Sequence, residues 1–144
     1  MNLVHANLIA VQDAGVLIRG PSGCGKSQLC LRLINERATK ATLVADDQVL
    51  LHTKNNRLIG APPQVLAGKL EIRGLGIIEQ SYLPEVEVKL VVDLVAQSQI
   101  SRMPEAHELS VEILNIKLAH FCLDPGSPAA VAILAAALDF FKLR

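Results

Sequence analysis

The segment Gly20-Pro21-Ser22-Gly23-Cys24-Gly25-Lys26-Ser27 matches G-x-x-x-x-G-K-[ST] in full, and no other feature of the chain restricts its fold as tightly. The pattern needs a strand before it and a helix after it. Its glycines let the backbone curl so that successive N–H groups point at phosphate oxygens, and the helix adds its positive N-terminal end. Both neighbours are present. Gly15-Val16-Leu17-Ile18-Arg19 reads as a short buried strand, and Gln28-Leu29-Cys30-Leu31-Arg32-Leu33-Ile34 carries apolar residues at helical spacing. The motif therefore predicts a nucleoside triphosphate site, with Lys26 on the β- and γ-phosphates and the Ser27 hydroxyl on Mg2+.

Composition limits the rest. The 144 residues suit one domain over 1–144, and a hydrophobic share of 51% with only 3% aromatics calls for an aliphatic core. Such a core suits a layered α/β fold with a largely buried sheet. Fourteen basic and fourteen acidic residues cancel, which removes the general field a nucleic-acid or anionic-membrane binder would use. Cys24, Cys30 and Cys122 have no metal-ligand spacing and read as reduced thiols of a cytoplasmic protein. The start of the chain lacks the order of a signal peptide, and the apolar run from Pro128 to Leu138 is too short to span a bilayer.

Along the chain, residues 1–11 read as one strand that turns at Gln12-Asp13-Ala14-Gly15 into the strand feeding the phosphate loop. Ala41 to Ala45 is a buried strand ending in Asp46-Asp47. Val49 to His52 and Arg57 to Gly60 flank Lys54-Asn55-Asn56 as a hairpin, and Pro62-Pro63 breaks the chain. Val86 to Ala96 is the strongest strand, Ile100 to Glu108 a loop, and Val111 to Ile116 a further strand. A helix follows with Ser127 as N-cap and Pro128 in its first turn. Many strands and few helices predict an α/β fold with a P-loop-containing mixed sheet.

Two constellations accompany the loop. Asp46-Asp47 at a strand end is costly without a cation, because like charges raise each other's pKa. Adjacent strand residues point to opposite sides, so one carboxylate can hold a metal while the other faces an incoming hydroxyl as base. A solvated turn-forming pair is the plain alternative. Glu71-Ile72-Arg73-Gly74-Leu75-Gly76 sets charges inside an apolar stretch. Either the two charges serve phosphates, or they form a structural couple at a sheet edge. His52, His107 and His120 read as surface or satisfied core residues, whereas His5 sits in the strand beside the phosphate loop.

These segments, together with Gly60-Ala61-Pro62-Pro63 and Leu70 to Ile78, resemble the catalytic domain of bacterial HPr kinase/phosphorylase from residue 1 to about Asp93. Leu70-Glu71-Ile72-Arg73-Gly74-Leu75-Gly76-Ile77-Ile78 is the most specific part. Beyond Asp93 the likeness weakens until Asp124-Pro125-Gly126. The resemblance implies an ATP-dependent kinase acting on a serine of HPr, the phosphocarrier protein of the phosphotransferase system. It also implies a fold related to the nucleotide-binding part of phosphoenolpyruvate carboxykinase, a homo-oligomer (hexameric in the family), and Mg2+ or Mn2+ as the metal. By position Asp46 resembles the catalytic base, Lys26 and Ser27 the phosphate and metal residues, and Asp47 their metal-side neighbour. His5 and Arg73 complete the catalytic set, and Glu71 belongs to the signature lining the site.

Three departures stand out. His5 comes almost at once, so the chain looks like a short proteobacterial form without the N-terminal domain. Gln28 stands where many members carry Glu beside a second metal. Pro125-Gly126-Ser127-Pro128 replaces a proline-glycine-arginine-asparagine segment associated with the reverse dephosphorylation, which puts phosphorylase activity in question. Two other readings stay open: a small-metabolite P-loop kinase, and an ATP-binding regulator of weak catalysis. Metabolite kinases commonly carry an arginine-rich lid, and here Arg19, Arg32, Arg37, Arg57, Arg73, Arg102 and Arg144 are scattered. No Asn-Lys-x-Asp motif for guanine is present.

Overall fold

A computed structural model describes residues 2–144. Residues 2–11 do not form one straight strand. The chain breaks at Ala6 into β1 (Asn2–His5) and β2 (Asn7–Val11), which join different neighbours. β2 pairs antiparallel with β3 (Ala14–Arg19) and with β4 (Ala41–Ala45), while β1 pairs with β5 (Gln48–Lys54). β5 turns through Asn55 and Asn56, at φ 52° and 61°, into β6 (Arg57–Ala61), the left-handed geometry Asn tolerates.

The segment read as one charged apolar stretch is a separate hairpin, β7 (Lys69–Ile72) and β8 (Gly76–Glu79), turning at Arg73-Gly74-Leu75. β9 (Val86–Leu94) is the hub of the main sheet. Its first residues pair antiparallel with β6, and the remainder pairs parallel with β3 and with β11 (Ile116–Leu123). The strand predicted over Val111 to Ile116 is instead the hairpin of β10 (Ser110–Ile113) with β11, turning at Leu114 and Asn115. Among the described residues two α-helices accompany the strands: α1 (Lys26–Asn35) and α2 (Ala130–Phe140).

Alternation along the strands sends side chains into two cores. Ile9, Val11, Val16, Ile18, Leu90 and Val92 meet Leu29, Cys30 and Leu33 of α1 and Leu134 and Leu138 of α2. Leu8, Ala10, Leu17, Val88 and Val91 meet Val44, Val49, Leu51 and Leu58 on the other face. Val88 and Val91 share a face despite odd spacing because the β3–β9 register skips Lys89, a bulge. Gly15 lies opposite it, where a Cβ would come 2.5 Å from the Glu87 carbonyl oxygen. Each fully buried Leu or Ile here contributes about 1.5–3 kcal/mol. Among the described residues no helix is long and apolar enough to cross a membrane.

The predicted cap of the last helix needs correction. Its N-cap is Ala129, and the Ser127 hydroxyl accepts the Ala129 N–H at 3.1 Å within the preceding turn. Asp124-Pro125-Gly126-Ser127 forms a turn of its own, closed by Ser127 N–H on the Asp124 carbonyl at 3.1 Å. Ser127 serves that turn before the helix begins.

Candidate active site

The loop from Gly20 to Ser27 leaves β3 and curls into α1. Gly25 is the N-cap at φ 107°, with no side-chain cap, so the first amides of α1 face open space at the positive end of the helix dipole. Gly23 has φ 79°, and both positions favour glycine for that reason. Lys26 is buried, 6% exposed, and its Nζ donates to the carbonyls of Gly20 at 2.7 Å and Pro21 at 3.0 Å. Cys24 turns inward: it packs on the core, and its Sγ would lie 2.6 Å from a Cβ at Gly20.

β4 delivers Asp46 and Asp47 beside this loop. Asp46 is 9% exposed, and Asn7 Nδ2 and the Ser27 hydroxyl both donate to its Oδ1 at 2.6 Å. The Glu71 N–H donates to its Oδ2 at 3.0 Å. Asp47 has φ 70° and is exposed, with Oδ1 3.2 Å from His5 Nδ1. His5 Nε2 in turn lies 3.3 Å from the Ser22 hydroxyl. The backbone turn between the two aspartates therefore points one carboxylate at Ser27 and the other at His5.

The β7–β8 hairpin covers the opposite side. A Cβ built on Gly23 would sit 3.4 Å from Nη2 of Arg73, so the guanidinium stands over the loop. Between hairpin, loop and aspartates lies a cleft of about 680 Å³, lined among others by Asn7, Lys26, Ser27, Asp46, Asp47 and Arg73. On the far side of the loop Pro125 packs against Gly25, and Arg32 Nη1 donates to the Pro125 carbonyl at 3.1 Å. Behind β3, Arg19 donates to both oxygens of Asp93 at 2.8 and 2.9 Å, and His120 Nε2 lies 2.8 Å from Asp93 Oδ2.

An uncapped helix start, a buried lysine and two divergent carboxylates around one cleft make an arrangement that can handle phosphate. The sequence carries the same message at family scale. It matches the family model described as HPr Serine kinase C-terminal domain over residues 1–143.

The chain belongs to that family.

Its relatives include the HPr kinase/phosphorylase of Geobacillus thermodenitrificans, 37% identical over 150 residues that cover 95% of this chain and 47% of that protein. The HPr kinase/phosphorylase of Mycoplasma mycoides is 32% identical over 97% of this chain and 48% of its own. The chain thus spans about half the length of the curated relatives it matches. The structure of the Hpr(Ser) kinase/phosphatase from Coxiella burnetii superposes with a TM-score of 0.86 at 28% identity, covering 99% of this chain and 97% of that one. The α/β fold read from the sequence is the fold of this HPr kinase relative. The likeness also continues through the region beyond Asp93 where motifs are sparse.

Within the HPr kinase C-terminal fold, the predicted residues Ser22, Gly23, Gly25, Lys26 and Ser27 line the cleft together with Asp46, Asp47 and Arg73. Gly20 and Pro21 stand behind them as acceptors for Lys26, and Cys24 faces the core. Of the two aspartates, Asp46 touches Ser27 and Asp47 lies beside His5. Glu71 contributes its backbone N–H while its side chain stays exposed, and among the described residues no salt bridge joins it to Arg73. Asn7 was not among the predicted site residues. Its signal was available, as a polar residue inside the apolar strand Asn7-Leu8-Ile9-Ala10-Val11.

Proposed function

We propose that this chain is an ATP-dependent protein-serine kinase that phosphorylates an HPr-type phosphocarrier protein of the phosphotransferase system. The observation that carries the reading is the divergence of Asp46 and Asp47 beside Lys26: one carboxylate on Ser27, the other exposed toward the cleft mouth. Membership of the HPr kinase family supplies the acceptor class.

In this reading the loop amides and Lys26 bind the phosphates of ATP, and the acceptor serine enters on the side of Asp47. The serine oxygen attacks the γ-phosphorus, the bond to the β-phosphate oxygen breaks, and Asp47 takes the hydroxyl proton. His5 orients Asp47 and tethers it to the loop through Ser22. Arg73 offsets charge on the transferring group.

Ser27 Oγ and Asp46 Oδ1, 2.6 Å apart, form a hard-oxygen pair that suits Mg2+ or Mn2+. An ion held there would neutralise phosphate charge and fix the orientation of the triphosphate. The base and metal-side roles are thereby exchanged relative to the sequence expectation. Pro125-Gly126-Ser127-Pro128 touches the loop at Gly25 without a cation of its own, so the proposed activity runs in the kinase direction. The setting we propose is cytoplasmic, and a homo-oligomer follows from the family resemblance.

The test is incubation with ATP, Mg2+ and a purified HPr-type protein, followed by mass spectrometry of the acceptor. A single acid-stable phosphoserine with stoichiometric ADP is expected. ATP consumed with no phosphorylated protein, or only when a small metabolite is added, would overturn the assignment.

A further inference from the structure

We infer that Asn7 is the positioning residue that sets both aspartates of the site, through one side-chain amide used in two directions. The inference rests on the phosphotransfer reading for its consequences and on local geometry for its basis. Asn7 is fully buried, 0% exposed, at the start of β2. Its Nδ2 donates to Asp46 Oδ1 at 2.6 Å, and its Oδ1 accepts the Asp47 N–H at 3.0 Å. The amide can satisfy these two partners in only one orientation, because a carboxylate offers no proton and a backbone N–H no lone pair. Nδ2 also lies 3.5 Å from Ser27 Oγ, so the same group borders the oxygen pair assigned to the metal.

The strand pairing explains why Asn7 arrives there. β2 and β4 slip register between Leu8 and Ile9, which leaves Leu8 opposite Ala45 and brings the next residues, Asn7 and Asp46, together. The slip matters for Asp47 as well. That residue sits at φ 70°, a conformation that a non-glycine residue holds only when its surroundings impose it. Its N–H is held by Asn7 Oδ1 and its carbonyl by the Ala6 N–H at 3.1 Å. Clamped on both sides, Asp47 turns its carboxylate to His5 while Asp46 keeps facing Ser27. An apolar residue of the same size would leave the Asp46 oxygen with Ser27 alone and take from the Asp47 N–H its acceptor inside the protein.

The experiment compares wild type, Asn7→Leu and Asn7→Asp for binding of Mn2+ with the non-hydrolysable ATP analogue AMP-PNP, followed by electron paramagnetic resonance, and for phosphate transfer to HPr. Circular dichroism and thermal melting establish that each variant is folded. Asn7→Leu is expected to weaken Mn2+ binding by about 10-fold and to lower kcat by about 100-fold, with KM for HPr unchanged. Asn7→Asp keeps the acceptor for Asp47 but sets a carboxylate against Asp46. With the Nδ2 donor to Asp46 gone, Asn7→Asp is expected to change Mn2+ binding and kcat by about 10-fold or more from wild type. If Asn7→Leu does not fold, Asn7→Asp carries the test. A folded Asn7→Leu or a folded Asn7→Asp with wild-type Mn2+ binding and kcat overturns the inference. Mn2+ binding that depends on Asn7 in a protein that never phosphorylates HPr would instead refute the functional reading and leave the positioning role standing.

Discussion

His5 Nδ1 and Asp47 Oδ1 lie 3.2 Å apart at the mouth of the cleft, while the adjacent Asp46 is turned away onto Ser27. Two consecutive carboxylates thus have separate partners and separate solvent exposure. A pair that would repel if both faced one point is turned apart, and removing the His5 side chain is expected to affect Asp47 alone.

His5→Ala removes the group that holds Asp47 and links it to Ser22. The expected result is a fall in kcat of about 10-fold, with KM for ATP nearly unchanged, since the loop amides and Lys26 remain. Steady-state kinetics at saturating HPr reads both constants. An equal loss in nucleotide affinity would place His5 in ATP binding instead.

Arg73 stands on an exposed hairpin turn with its guanidinium over Gly23, so its removal costs the fold little. Arg73→Ala is expected to lower kcat by about 10²- to 10³-fold, the range for losing one donor to a developing anion. Arg73→Lys should recover only part, because a point charge replaces a planar fork. Unfolding midpoints for all three proteins should agree closely. A large drop in stability would mark Arg73 as structural.

Asp93 tests the support behind the loop. Burial pushes its carboxyl up, but hydrogen bonds from Arg19 and His120, with their charges, outweigh that and hold it below the ordinary value of 3.8. A carboxylate with a depressed pKa adds stability above its unfolded value and loses it as pH falls through the folded one. Asp93→Asn should therefore cost about 2 kcal/mol at pH 7. The gap to wild type should close as pH drops below about 4. Urea unfolding across pH checks this, and a gap that widens in acid would contradict it.

Cys30 reports on the integrity of the site from beneath. Burial pushes its thiol up to about 12, against a hydrogen bond from Asn7 that works downward and beside the Asp46 charge that works upward. The thiolate is the reactive form, so Cys30 should resist iodoacetamide at pH 8 in the folded chain and react once denaturant is added. Peptide mapping distinguishes it from Cys24 and Cys122. Rapid native labelling of Cys30 would show that the core beneath the aspartates opens.

The phosphate loop was legible because its chemistry is local: the glycines, Lys26 and Ser27 are consecutive, and strand and helix flank them. The β7–β8 hairpin was half legible. Glu71 to Gly76 announced a charged, glycine-marked segment, but its turn at Arg73-Gly74-Leu75 did not stand out from an apolar run. β11 was missed because the turn before it uses Leu114 in a left-handed conformation, a residue type that signals no turn. Which partner each of Asp46 and Asp47 takes was not legible at all. It depends on φ 70° at Asp47, imposed by Ala6 and Asn7 forty residues earlier, a relationship that sequence periodicity does not encode.

The division of labour between the aspartates is the centre of the account, and a metal titration of phosphate transfer addresses it most directly. HPr labelling from γ-labelled ATP is followed against Mn2+ concentration for wild type, Asp46→Asn and Asp47→Asn. Asp46→Asn is expected to raise the Mn2+ concentration for half-maximal rate by about 10- to 100-fold. Asp47→Asn should leave that concentration unchanged and lower the plateau by about 10²- to 10⁴-fold. The reverse pattern, a metal defect in Asp47→Asn and a pure rate defect in Asp46→Asn, would contradict the assignment.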